Sequence, residues 1–310
     1  MEHLSDKSGI NEASRSAARP SSVARLVSKC VSQYLRFSPI RKGKHRLWTA
    51  TAERFLLSEI KPGLWIRTSG LTGAEQKLFL RGNKEPRSIA FAEALLERDM
   101  VVLDVGANIG YYSLIFATLV GNNGEVHAFE PTPVLSERIR LNLALNGLTQ
   151  VRVNQVAVSD VVGSASLHIS EEDPEANSLF QMEDGTGEIA VATTTLDAYV
   201  AANALHRINL IKIDCEGSEL GVLRGARSLL EANDGPMLLL ECNAASLAAC
   251  GASVVGLRDY LRESSYDCFA LEQLREPPDP VWNVLALKPS HAKAHQLVEK
   301  FAIPGFDPQP

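Results

Sequence analysis

The chain has 310 residues, 45% hydrophobic and 22% charged, with a net charge of −6. That is enough apolar material for one full core, and it excludes the overall basic surface that duplex nucleic acid requires. Five cysteines, Cys30, Cys215, Cys242, Cys250 and Cys268, are odd in number and lack metal-type spacing, so they read as buried thiols in a reducing compartment.

No apolar run approaches the roughly 20 residues that cross a bilayer, and the N-terminus carries no signal-type segment. The expectation is a cytoplasmic protein. Residues 1–20, rich in Ser, Ala and charge, are expected to be disordered. Between Arg15 and Arg46 there are nine Lys or Arg residues and no acid. Within that stretch Val23, Leu26, Val27, Cys30, Val31, Tyr34 and Leu35 recur at helical spacing, with Arg25, Lys29 and Arg36 on the other face. Such a helix could lie on a membrane or an anionic substrate. The expectation is the plainer one, that its apolar stripe packs on the main domain or on a second subunit, as in a homodimer.

Residues 55–79 alternate short apolar pieces with Gly and Pro, which suggests a small β-rich cap, and together with the basic helix this makes a lead-in over 21–98. Pro86 opens a helix running to about Arg98. From 99 to 288 strands alternate with helices: Val101–Val105, Glu125–Phe129, Val151–Val158, Leu210–Asp214 and Met237–Cys242, with helices at Tyr111–Leu119, Val134–Asn146, Leu220–Glu231 and Val254–Glu263. Two final strands, Cys268–Leu271 and Val281–Lys288, flank a Pro-rich turn, and 289–310 reads as a tail. Alternation of this kind implies an α/β fold with a doubly wound, mostly parallel sheet, seven-stranded here, and helices on both faces. Residues 163–197 interrupt it with an acidic, turn-rich insertion.

Ligands of such sheets bind outside the carboxyl ends of the strands where the strand order reverses. Asp104-Val105-Gly106-Ala107-Asn108-Ile109-Gly110 closes the first strand there, and its glycines permit a tight turn and close backbone approach. Glu130, about twenty residues on, ends the second strand, where an acid can accept both hydroxyls of an adenosine ribose. NAD would also suit that acid. However, the loop spacing is G-x-x-x-G rather than G-x-G-x-x-G, and Asp104 would repel a pyrophosphate while attracting the ammonium of a methionine moiety. S-adenosyl-L-methionine is therefore the expected cofactor, and an NAD-dependent dehydrogenase is disfavoured.

The run from Asp104 to Ser113, then Phe129-Glu130-Pro131, Thr195-Leu196-Asp197 and Ile211 to Glu219, in that order, resembles the FkbM family of methyltransferases. The resemblance covers about Glu85 to Glu241 and implies a class I methyltransferase, Rossmann-like fold and O-methylation of sugars, polyketides or related metabolites. Carried onto this sequence, it implies that Asp104, Gly106, Ala107, Asn108 and Gly110 wall the methionine side, that Glu130 holds the ribose, and that Ala157 and Val158 flank adenine. Cys215 stands where the family often has Val.

On the acceptor side, Asp214 and Glu216 leave the fourth strand beside the crevice and are the expected catalytic pair, able to orient or deprotonate a hydroxyl. Glu216 and Glu219 could instead serve the dipole of the helix that follows. Glu241 after the fifth strand could join Asp214 and Glu216 around a divalent cation, but the expectation is no metal. Tyr111, Tyr112 and His168 are candidate substrate contacts, with one tyrosine expected to face the core. Thr195 reads as a helix cap. A silent scaffold that binds the cofactor without turnover is the alternative function.

Overall fold

The computed structural model describes residues 21–37, 57–68, 73–169, 187–275 and 280–308. Helix α1 (Ser22–Phe37) precedes a hairpin, β1 (Leu57–Lys61) and β2 (Leu64–Arg67), then α2 (Gly73–Arg81) and α3 (Pro86–Leu95). The sheet begins with β3 (Val101–Val105), α4 (Tyr111–Val120), β4 (Glu125–Phe129), α5 (Pro133–Asn146) and β5 (Val151–Asn154). A side layer follows: β6 (Ala157–Val158), β7 (Gly163–Ile169) and β8 (Gly187–Thr194). The chain returns through α6 (Leu196–Ala202), β9 (Leu210–Ile213), α7 (Glu219–Arg224), α8 (Arg227–Glu231) and β10 (Met237–Asn243). It closes with α9 (Ala244–Ala249), α10 (Val254–Glu263), β11 (Asp267–Arg275), β12 (Val281–Leu287) and α11 (Ala292–Lys300).

The main sheet has seven strands in the order β11-β12-β10-β9-β3-β4-β5. Its β9, β3, β4, β5 and β10 pairings are parallel, and only β12 runs antiparallel to its neighbours. The order reverses at β3, which lies between β4 and β9, so the crevice opens above the carboxyl ends of those strands. One core lies on each face. Ile115, Phe116, Ile139 and Leu287 fill one, while Leu103, Ile211, Leu223 and Leu257 fill the other. Strands covered on both faces need continuous apolar runs, and Leu210–Ile213 is buried throughout, including its one lysine.

Several expectations change on this framework. The stretch read as one strand over 151–158 is two, because β5 stays in the main sheet while β6 leaves to pair with β8. The helix expected over 220–231 breaks between α7 and α8. A Cβ on Gly225 would stand 2.1 Å from the Ser159 carbonyl oxygen, so the break lets two backbones touch. Residues 73–81, expected within a β-rich cap, form α2. The expected tail holds α11, whose Ala294 and Val298 are buried in the core. Helix α1 forms, but Val23, Leu26 and Val27 are exposed rather than packed. Cys30 is exposed too, Cys215 and Cys250 are half-buried, and Cys242 and Cys268 are buried, all five with free thiols. The expected disorder of 1–20 and the acidic segment at 171–175 lie outside the described residues. No described helix is long and apolar enough to cross a membrane.

Candidate active site

The loop after β3 is shaped by backbone crowding. Gly106 has φ +76, and a Cβ there would come within 1.8 Å of the Asp214 carbonyl oxygen. Glycine is thus demanded by the neighbouring end of β9, before any ligand is considered. The Gly106 and Ala107 N–H groups both donate to the Phe129 carbonyl at 3.0 Å, which fastens this loop to the end of β4. Gly110, at φ +87, starts α4 against Ile139. Asn108 is left-handed without being glycine, at φ 52, a strain that binding loops characteristically hold.

Glu130 is buried at the end of β4. One carboxylate oxygen accepts from the Asn108 N–H at 3.0 Å and the other from the Thr132 N–H at 2.9 Å, so the side chain joins the two loops. Burial pushes its pKa up to about 7, against the pull of those hydrogen bonds. Asp104, fully buried beneath the loop, accepts from Ser113 Oγ at 2.5 Å with one oxygen, while the other has no partner among the described residues. Burial raises its pKa despite the opposing Lys212 charge.

A cavity of about 630 Å³ opens here, lined by Gly106, Ala107, Asn108, Glu130, Ala157 and Val158 together with Tyr111, Tyr112, Lys212, Asp214, Glu216 and Glu241. The three acids Asp214, Glu216 and Glu241, from the ends of β9 and β10, bring carboxylate oxygens within 4.8 Å of one another. Their charges separate by environment. Burial opposes ionisation of Asp214, but the Lys212 ammonium at 2.8 Å, with Lys84, outweighs it and holds that carboxyl below its usual range. Glu216 is pushed up to about 7 by burial and then by the Asp214 charge, and Glu241 goes well above the usual range for the same two reasons. Glu216 is itself left-handed at φ 46 and accepts from Ser246 Oγ at 3.2 Å.

Lys212 is the group that sequence reasoning missed. It is buried, its ammonium stands 4.8 Å from the centre of the Tyr112 ring, and the Asp214 and Asp104 charges raise its pKa against burial. A lone lysine inside the apolar run Leu-Ile-Lys-Ile was the available signal, since a charge in a buried strand must find partners. Glu219 serves the loop, its Oε1 accepting from the Cys215 and Gly217 N–H groups at 3.0 and 3.1 Å. Both tyrosines line the cavity and are otherwise buried: Tyr112 donates to Glu85 and Tyr111 to Asn83. His168 stands apart. Strand alternation on β7 turns Leu167 into the cavity and leaves His168 beside Glu188, at 3.3 Å.

The Methyltransferase FkbM domain model matches residues 104–268, more than half of the chain. The chain belongs to the FkbM methyltransferase family. The family match carries the cofactor with it, S-adenosyl-L-methionine. The residues fit that group, because Asn108 Oδ1 is buried, has no partner among the described residues, and belongs to the same wall as Glu130. Among FkbM-like relatives, 31-O-demethyl-FK506 methyltransferase FkbM of Streptomyces tacrolimicus is 35% identical over 155 residues, covering 40% of this chain and 58% of its own. Hexuronic acid methyltransferase AglP of Haloferax volcanii is 30% identical over 152 residues, covering 49% and 59%. The chain thus spans about three fifths of the length of these curated relatives. A solved rRNA methylase from Streptococcus thermophilus superposes with a TM-score of 0.43 at 15% identity, over 65% of this chain and 93% of that one.

Proposed function

We propose that this chain methylates a hydroxyl oxygen of a small molecule or sugar. The reading rests on one observation above all: the glycine loop and Glu130 share a single cavity with three clustered carboxylates, Asp214, Glu216 and Glu241. The Streptomyces tacrolimicus relative acts on 31-O-demethyl-FK506 and the Haloferax volcanii relative on a hexuronic acid, both in keeping with a hydroxyl-bearing acceptor.

When bound, S-adenosyl-L-methionine would supply a methyl group made electrophilic by a sulfonium, the methyl C–S bond breaking as the C–O bond forms and sulfur leaving as the neutral thioether of the demethylated product. Gly106, Ala107, Asn108 and Glu130 would hold that donor, with Ala157 and Val158 beside its adenine, while Asp104 and Gly110, expected at the cofactor but buried behind the cavity lining, would shape the loop from beneath. An alcohol is a weak nucleophile until its proton has somewhere to go. Asp214, kept ionised by Lys212, accepts a hydrogen bond from the acceptor hydroxyl and orients it. Glu216, with a pKa raised to about 7, is matched to take the proton as the new C–O bond forms. Glu241, which holds its proton to higher pH, and Tyr111 and Tyr112 line the space around the acceptor. Lys212 already provides a cation at the acid cluster, so the reading needs no divalent metal.

Calorimetry should show the full chain binding S-adenosylmethionine and its demethylated product, and incubation with a panel of sugars and hydroxylated metabolites should yield an O-methylated product with turnover unaffected by EDTA. Tight NAD binding with no binding of either sulfur ligand would overturn the assignment. Cofactor binding without turnover on any hydroxyl would reduce it to a scaffold, and loss of turnover in EDTA with rescue by Mg²⁺ would make the three acids metal ligands.

A further inference from the structure

Five cations contribute to the lining of the cavity, Lys77, Arg81, Lys84, Lys212 and Arg275, on a chain whose net charge is −6. Two of them are engaged, Lys212 with Asp214 at 2.8 Å and Lys84 with Glu85 at 3.3 Å. The other three, Lys77, Arg81 and Arg275, are exposed and have no ion-pair partner among the described residues. A lone surface lysine or arginine is ordinarily satisfied by water. These three, however, converge on one concavity from two distant parts of the chain.

Their placement is built into the fold. Lys77 and Arg81 stand four residues apart on α2, one turn from each other on a single face. That helix is fixed by Leu78 and Phe79, which are buried, and by its only acid, Glu75, whose two oxygens accept from the Arg138 guanidinium at 2.8 Å each. Glu75 thus answers Arg138 of α5 rather than Lys77. Arg275 arrives from the other end of the chain. Strand β11 is antiparallel to β12, which is antiparallel to β10, so β11 runs in the direction of β10 and delivers its last residue to the edge where β10 ends. Arg275 lies opposite Val281 in that register and Val281 opposite Asn243, and both of these also line the cavity. The dipole of α2 would account for Arg81 in its last turn, but not for Lys77 in mid-helix or for Arg275 on a strand.

The methyl donor does not account for them either. S-adenosylmethionine carries one carboxylate against an ammonium and a sulfonium, so at most one of the three cations has a partner in it. Unpaired cations gathered at the rim of a cavity draw anions toward it, and arginines hold a planar carboxylate or a phosphate by paired N–H donors. We infer that Lys77, Arg81 and Arg275 form an anion subsite at the rim, which binds a carboxylate or phosphate of the acceptor while the hydroxyl to be methylated reaches Asp214 and Glu216. The acceptor is therefore an acidic sugar or acidic metabolite rather than a neutral one. The subsite deepens the O-methylation proposed above and rests on it for the hydroxyl, while the anion contact is open to test by binding alone.

Matched sugars test it, with binding to the full chain followed by ligand-observed NMR in the presence of S-adenosylhomocysteine, the demethylated donor. In at least one of three pairs, glucuronate against glucose, galacturonate against galactose and glucose 6-phosphate against glucose, the charged member should bind about tenfold more tightly. The pair with the largest preference identifies the anion as carboxylate or phosphate. Raising salt well above about 0.1 M should shrink the preference as the Debye length shortens. The double variant Lys77→Ala/Arg275→Ala should remove most of it while keeping the unfolding midpoint and the affinity for S-adenosylmethionine. Equal binding of charged and neutral members in every pair, a measurement that needs no variant, would overturn the subsite, as would a preference that the double variant retains. Loss of S-adenosylmethionine affinity in the variant would overturn it too, by assigning these cations to the donor carboxylate. The two readings fail separately. Anion binding that depends on Lys77 and Arg275 without methyl transfer to any sugar would leave the subsite standing and remove the reaction, whereas O-methylation of neutral sugars with no preference for charge would do the reverse.

Discussion

Two glutamates whose carboxyls are pushed up to about 7, Glu130 and Glu216, differ in what their oxygens already hold. Glu130 ties Asn108 and Thr132 by their N–H groups, so its lone pairs aim along one wall. Replacing it with Ala should weaken S-adenosylmethionine binding by roughly 1.5 to 3 kcal/mol, through loss of charge-assisted acceptors and of the link between loops. Calorimetry returning an unchanged dissociation constant would make Glu130 purely a structural brace. Glu216 accepts from Ser246 Oγ at 3.2 Å and acts as a base only when ionised. Turnover should therefore rise with pH through about 7, and Glu216→Gln should flatten that limb; a limb that persists in the variant assigns it to another group. Asp214→Asn should lower kcat by about 10² to 10⁴ with cofactor affinity nearly unaltered, whereas loss of cofactor binding would move Asp214 to the donor wall. The acids were legible as residues at strand ends. Their different proton affinities were not, because Lys212 and the extent of burial decide them.

At the scale of elements, the motif Thr195-Leu196-Asp197 has a structural explanation. Thr195 caps α6, accepting from the Ala198 N–H at 3.1 Å as its sequence suggested. Asp197 reaches across to α8, whose own N-cap residue, Ala226, offers no side-chain bond, and accepts from the Ser228 and Leu229 N–H groups at 2.8 and 3.1 Å. One helix thus caps another. Asp197→Ala should cost about 1 to 2 kcal/mol of stability in urea unfolding and leave cofactor affinity alone; a variant as stable as wild type would show the cap to be replaceable by water. The hairpin β1–β2 is held in a similar way, with Asn146 and Asn142 of α5 accepting from the Trp65 and Arg67 N–H groups at 2.8 Å each. Apolar period alone located β3, β4 and β10 to within a residue. It could not locate the division of β5 from β6 or of α7 from α8, since both follow from contacts between distant backbones.

For the whole molecule, burying acids makes stability depend on pH in a stated direction. Glu130, Glu216 and Glu219 each titrate near 7 in the fold, burial being the chief cause, against 4.5 in the open chain. Between those values the folded state binds protons that the unfolded state does not, so stability falls as pH rises from about 5 to 8, by of the order of 1 to 3 kcal/mol for each group. The unfolding midpoint of the cofactor-free protein should drop over that range, with a shallower slope in Glu219→Gln; a midpoint that rises with pH would show these carboxyls ionised in the fold. Much of this protein is determined locally. Apolar spacing decides which segments are strands and helices, and the glycine loop, Glu130 and the acids after β9 are legible as a candidate site, because these depend on residues near one another in the chain. Tertiary structure alone decided that Gly106 must clear the Asp214 carbonyl, that Lys212 separates the proton affinities of three acids, that His168 turns away from the cavity, and that α1 shows its apolar stripe to the outside. Each of those outcomes depends on which surfaces from distant parts of the chain meet, and residue spacing carries no record of that.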